Sequence, residues 1–165
     1  MHRLVVTYME MLAPPRGIQP CAPTCATVRR EVPSRAEYLQ LYRAVGDPLR
    51  WDDRLTLSAE ALDAFLADPA NHVYVLRLTG IAGGFCEFTG VGGAEVQLTH
   101  FGLVPSLQGR GLGPYLLHVA LARIWSGPTE RVWLHTDNFD HPKAIATYAH
   151  AGFRVFDRHI RADAG

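Results

Sequence analysis

The sequence predicts an α+β (mixed α/β) single domain, with a largely antiparallel twisted sheet and helices on both faces. Three observations lead to that fold class. Strand-like and helix-like runs are mixed along the chain without strict alternation. The middle of the chain, Val73 to Leu78, Ile81 to Thr89 and a third run from Glu95, is divided only by short turns, so it reads as an antiparallel meander. A chain of 165 residues, 48% hydrophobic and 19% charged, fits one domain and can bury a sizeable core.

Residues 3 to 11 alternate, with Leu4, Val6 and Tyr8 against Val5, Thr7 and Met9. They read as a short strand that extends or covers a sheet edge, with a disordered leader as the alternative. Ala13 to Thr24 holds Pro14, Pro15, Pro20 and Pro23, too much proline for a helix or a central strand. Residues 1–24 are therefore an N-terminal strand and proline-rich segment packed on a domain of residues 25–165. Cys25 to Val32 reads as a strand. Ser34 caps a helix, and Glu37 completes a capping box. That helix presents Tyr38, Leu41, Tyr42 and Val45 on one face and stops at Gly46. A loop through Trp51, Asp52 and Asp53 follows, then a short helix capped by Ser58 that ends near Asp68-Pro69.

The rest of the chain is organised around Glu95 to Trp125. Glu95 to Val104 is apolar enough for a largely buried strand, and Pro105 ends it because proline has no N–H for a ladder. Gln108-Gly109-Arg110-Gly111-Leu112-Gly113 then opens a helix that runs to Trp125. A glycine-rich turn at a helix N-terminus offers free backbone N–H groups and a partial positive charge, an anion site most often used for phosphate. It is not a P-loop, since no Gly-Lys-Ser or Gly-Lys-Thr follows, and it is a poor dinucleotide fingerprint. After Gly127-Pro128, Arg131 to Thr136 is a strand. Asp140 or His141 caps a last helix with Pro142 in its first turn, Gly152 closes that helix, and Phe153 to Ile160 is a final strand.

Composition excludes several classes of function. The formal net charge is zero, which argues against nucleic-acid or membrane-surface binding. No apolar run reaches the length of a membrane span, and Glu10 interrupts the apolar N-terminal run, so no signal peptide is evident and a cytoplasmic protein is expected. Of the three cysteines, Cys21 and Cys25 lack a second pair to complete a zinc site, and Cys86 reads as a small core residue. No metal is expected.

Gln108 to Gly113 resembles the Gln/Arg-x-x-Gly-x-Gly/Ala signature of the GNAT superfamily of acyl-CoA N-acyltransferases. A second block, Ala144-Ile145-Ala146-Thr147-Tyr148-Ala149-His150-Ala151-Gly152-Phe153, is similar to that family's closing helix, which carries a tyrosine and ends at Gly-Phe. The resemblance implies that the central strand and the strand after it splay apart to admit a cofactor arm. It implies acetyl-CoA as acyl-donor cosubstrate, held by Gln108, Gly109, Arg110, Gly111, Leu112 and Gly113 at the pyrophosphate. Phe101, Gly102, Leu103 and Val104 would pair with the pantetheine. His141 stands where the family usually has Asn, and Pro114 removes one N–H from the turn.

The implied reaction is direct transfer of an acetyl group to a primary amine of a small molecule or protein. Tyr148 matches the family's proton donor to the leaving thiolate. The base is less defined. The family's strand Glu falls at Gln97, so Glu95, two residues earlier on the same face, and His135 are the candidates, with His100 a third. Tyr42, Trp51, Asp52 and Asp53 suit a wall for a cationic acceptor. The expected partners are acetyl-CoA and an amine, with no nucleic acid and no membrane, in a monomer or homodimer. Two other classes stay open: a non-catalytic acyl-CoA sensor, and a protein-interaction domain with an eroded site.

Overall fold

The computed structural model describes residues 3–17 and 19–162. Its elements in chain order are β1 (Arg3–Met11), β2 (Ala26–Glu31), α1 (Arg35–Gly46), α2 (Ala59–Ala67), β3 (His72–Leu78), β4 (Ile81–Thr89), β5 (Glu95–Leu103), α3 (Leu112–Trp125), β6 (Arg131–Asp137), α4 (Ala144–Ala151) and β7 (Arg154–Ala162). The strands form one seven-stranded sheet in the order β2-β3-β4-β5-β6-β1-β7. Among the described residues only β5 and β6 are neighbouring strands paired in parallel; the other neighbouring pairs are antiparallel.

The sheet is covered on both faces. On one, α3 and α4 bury Leu116, Leu117, Leu121 and Tyr148 against Tyr74, Leu76, Phe88, Leu98 and Val132. On the other, α1 and α2 bury Tyr38, Tyr42, Val45, Leu62 and Leu66 against Val73, Val75 and Phe85. The middle of β3 and most of β4 are therefore buried on both faces, which is why those strands read as continuous apolar runs. The Ser34 capping box forms as the sequence indicates, with Ser34 accepting from the Glu37 N–H and the Glu37 carboxylate accepting from the Ser34 N–H.

The position of β1 differs from expectation. It does not lie at an edge but inside the sheet, antiparallel to β6 on one side and to β7 on the other. The crossover from β6 through α4 returns β7 parallel to β6 but one place further out, because a parallel return needs a helical crossover rather than a hairpin. β1 fills that gap and buries Val6, Met9 and Met11. Residues 12–25 then carry the chain to β2, at the opposite edge of the sheet.

The feature that positions the site is the short pairing of β5 with β6. Their register holds only from Glu95↔Arg131 to Gln97↔Trp133. Beyond Gln97 the two strands no longer pair. At the same level the β4–β5 register shifts between Glu87 and Phe88, so Thr99 and His100 both oppose Glu87. A bulge of this kind bends a strand and re-aims its side chains.

Candidate active site

The glycine-rich turn is built as an open cradle. A single 3-10 turn over Pro105–Leu107 leads into it, and the Gln108 side-chain amide donates to the Leu103 carbonyl, 3.4 Å away, tying the turn back to β5. Gly109 and Gly111 have φ of +76° and +75°, in the left-handed region that favours glycine. An added Cβ at either would meet no atom within 4 Å, so these positions face open space. α3 starts at Leu112 with no side-chain cap, and the N–H groups of residues 109–113 have no backbone acceptor among the described residues. The residues present fit an anionic pyrophosphate, which would supply the missing acceptors. Leu112 itself is fully buried and anchors the helix start, so it can offer only its backbone.

From this cradle a cavity of about 320 Å³ runs through the gap between β5 and β6. The residues singled out from the sequence that line it are Trp51, Asp53, His100, Phe101, Gly102, Leu103, Gln108, Gly109, Gly111, Gly113, Pro114, His135, Asp140, His141 and Tyr148. Val104, Arg110, Leu112 and Glu95 do not. Val104 donates its N–H to the Gly83 carbonyl at 2.8 Å, which pairs it with the sheet rather than with the cavity. Arg110 is exposed. Glu95 sits at the solvent-facing start of β5, where its carboxylate lies 3.8 Å from Arg131. His135 is exposed at the far wall, its ring tilted against Tyr8.

Tyr148 is held by packing. Its ring lies 5.7 Å from the Phe101 ring and 5.9 Å from that of Phe153. Among the described residues its hydroxyl has no hydrogen-bond partner, although the ring is buried and lines the cavity. Burial, helped by the nearby Asp140 carboxylate, pushes its pKa well above the usual phenol range, so the hydroxyl keeps its proton.

The start of α4 departs from the sequence reading. Asp140 does not cap it. The Asp140 carboxylate instead accepts from the Thr136 hydroxyl, the Asp137 N–H and the Trp51 indole N–H at 3.1 Å. His141 holds the approach to the helix: its Nδ1 accepts from the Lys143 N–H at 3.1 Å, and α4 begins only at Ala144. The shift follows from chemistry, since Asp140 spends its lone pairs on groups that close the cavity.

The wall opposite α4 comes from the loop after α1. Trp51 and Asp53 line the cavity, Tyr42 lies fully buried behind Trp51, and Asp52 is exposed. Trp51 bridges to Asp140, and the Arg50 guanidinium sits 4.8 Å from the centre of the Phe139 ring, so this loop is tied to the β6–α4 loop across the gap. Gly46 is needed here for a reason its sequence position does not show. It does not end α1 with a left-handed turn; its φ is −91°, and the chain leaves through a 3-10 turn over Asp47–Leu49, with Arg50 left-handed. A Cβ on Gly46 would lie 2.6 Å from Trp51 Cε3. We expect Gly46→Ala to destabilise the fold by about 1–3 kcal/mol, the usual penalty for overpacking, with altered Trp fluorescence. Urea unfolding with fluorescence detection checks both, and an unchanged midpoint would contradict the close approach.

Sequence reasoning missed Glu87. It is fully buried on β4, and four side-chain donors converge on it: the hydroxyls of Tyr38 and Thr99, the Arg54 guanidinium at 2.8 Å and His100 Nδ1 at 2.7 Å. Burial alone would raise its pKa, but the His100 hydrogen bond and the Arg54 guanidinium outweigh burial and hold it at about 2. The signal was present as a lone carboxylate in the apolar run Phe85-Cys86-Glu87-Phe88, where a charge must find partners.

Residues 38–153 match the acetyltransferase (GNAT) family, more than half of the chain. The chain belongs to the acetyltransferase (GNAT) family. Solved structures share the GNAT fold. A GCN5-related N-acetyltransferase from Sphaerobacter thermophilus is 23% identical with a TM-score of 0.71, over 95% of this chain and 50% of that one. A GCN5-related N-acetyltransferase from Kribbella flavida is 16% identical with a TM-score of 0.65, over 96% of this chain and 58% of that one. An aminoglycoside acetyltransferase from an uncultured soil metagenomic sample, in complex with sisomicin, is 14% identical with a TM-score of 0.63, over 76% of this chain and 87% of that one. The chain thus spans between half and three fifths of the length of the first two GNAT structures. No curated protein matches it in sequence. Among the described residues no helix is long and apolar enough to cross a membrane, and no His, Cys, Asp and Glu cluster could hold a metal ion.

Proposed function

We propose that this GNAT domain transfers an acetyl group from acetyl-CoA to a primary amine of a small molecule or protein by direct transfer. One observation carries the reading: a single cavity joins the glycine-rich turn, the unpaired edge of β5, the Tyr148 hydroxyl and the Trp51–Asp53 wall. The backbone N–H groups of residues 109–113 would hold the pyrophosphate. The edge of β5 from Phe101 to Leu103, left without a β6 partner, would pair with the pantetheine amides, and His141 would flank that arm. Tyr148, kept protonated by its surroundings, would donate to the leaving thiolate. Trp51 and Asp53 would receive the amine on the opposite side, a wall suited to a cationic group. The sisomicin complex of the aminoglycoside relative makes a multiply aminated cation one sensible member of a test panel.

Release of the CoA thiol in the presence of an amine panel tests the reading directly. Tyr148→Phe keeps the packing and removes the proton. We expect it to lower kcat by about 100-fold or more, the lower range for general acid–base catalysis, with little change in acetyl-CoA affinity. Full kcat in that variant would remove Tyr148 from the chemistry.

A further inference from the structure

We infer that His100, fixed by the buried Glu87, is the group that takes the proton from the acceptor amine, and that Asp53 returns that proton to solvent. The inference rests on the acetyl-transfer reading of the same cavity and adds the residue that completes it.

The hydrogen bonds decide which nitrogen is free. Glu87 is an ionised carboxylate, an acceptor only, so His100 Nδ1 must carry the hydrogen it shares with Glu87. Arg54 already neutralises Glu87 within the buried cluster, so the imidazole need not be charged to sit there. In the neutral imidazole the remaining nitrogen, Nε2, then holds the lone pair. It lies 3.5 Å from the Tyr42 hydroxyl and 3.8 Å from the Asp53 carboxylate. The Tyr42 oxygen accepts the Arg54 N–H at 3.4 Å, which leaves its own proton directed elsewhere, in keeping with an unprotonated Nε2.

The backbone and the packing fix the ring in place. The β5 bulge sets Thr99 and His100 together opposite Glu87. Trp51, Tyr42 and Phe85 pack around the ring, the Trp51 ring centre at 4.9 Å. The titratable and charged groups facing it are Glu87 from β4, Tyr38 and Tyr42 from α1, and Asp53 and Arg54 from the loop before α2. His100 and Asp53 both line the cavity, and Asp53 is also largely exposed, so a proton received at Nε2 has a path out.

The step balances. The amine nitrogen bonds to the acetyl carbon as the carbon–sulfur bond breaks. One proton passes from the nitrogen to His100 Nε2, and the sulfur takes the Tyr148 proton. His100 then discharges through Asp53 while Tyr148 is reprotonated from solvent, so no proton is gained or lost over the cycle. Glu87 stays ionised throughout and is a positioning residue.

Two measurements test this on the intact chain. Nitrogen NMR of ¹⁵N-histidine-labelled protein, assigned with His100→Gln, should show the Nδ1–H tautomer for His100 at neutral pH; the Nε2–H tautomer would overturn the inference whatever the turnover. In kinetics with acetyl-CoA and an active amine, His100→Gln should lower kcat/KM at pH 7 by about 100-fold or more. Glu87→Gln should weaken the Nδ1–H preference of His100 in the same spectra, because a neutral amide can donate as well as accept. A wild-type rate in His100→Gln would overturn the inference and leave acetyl transfer standing. A wild-type protein that binds acetyl-CoA but turns over no amine would overturn both.

Discussion

Gly111→Glu should lose acetyl-CoA affinity by 100-fold or more while the domain stays folded. Gly111 faces open space in the turn, so an added Cβ meets no protein atom within 4 Å, and its left-handed φ of +75° adds only local strain. Strain at one such position costs about 1–3 kcal/mol. The larger effect is electrostatic. A carboxylate placed about 4 Å from a phosphate charge is repelled by roughly 4 kcal/mol at an effective dielectric of 20, which exceeds the factor expected. Gly111→Asn separates the two effects, because Asn tolerates left-handed backbone and carries no charge. Its affinity should lie well above that of the Glu variant. Equal affinity for wild type and Gly111→Glu would mean that no phosphate sits in the turn.

Glu87→Gln should be the most destabilising single change on the sheet, by roughly 3–5 kcal/mol at pH 7, because it leaves the Arg54 guanidinium buried without its counter-charge. The pH dependence has a definite sign. Glu87 has a folded-state pKa of about 2 against an ordinary value of 4.5. Its carboxylate therefore stabilises the fold fully above about pH 4.5, and that stability is lost as pH falls toward 2. The linked free energy is roughly 3 kcal/mol. Wild type should thus lose stability more steeply than Glu87→Gln across that window, and the two should converge near pH 2. Chemical denaturation at several pH values reads this. A constant gap between the two proteins down to pH 2 would mean that Glu87 is not ionised in the fold.

The sequence was most informative where the physics is local. The glycine-rich turn, the α3 start and the Ser34 capping box each depend on a few adjacent residues, and all three appear where the residue types put them. Placement of β1 was not legible, because alternation reports that a strand has two faces but not which neighbours pair with its edges. Gly46 reads as a helix stop from its type alone; only the fold shows that Trp51 packs on it. Asp140 and His141 both have cap-like positions, and what separates them is Trp51, some ninety positions earlier in the chain and unconnected by any sequence spacing.

The cavity wall around His100 shows the same limit more sharply. Glu95, His135 and, third, His100 are the sequence's candidates for the base, and position along a strand does not rank them. The structure leaves Glu95 on the solvent side of β5 and brings His100 to Glu87 instead. That pairing depends on the bulge opposite Glu87 and on partners from α1 and the loop before α2, none of which a linear pattern records.

Calorimetric titration of the wild-type domain with acetyl-CoA bears most directly on the cavity between β5 and β6. We expect one site per chain, with micromolar affinity, weakened in Gly111→Glu. A folded sample that takes up no acetyl-CoA would contradict a donor site at the glycine-rich turn, and acetyl transfer would fall with it.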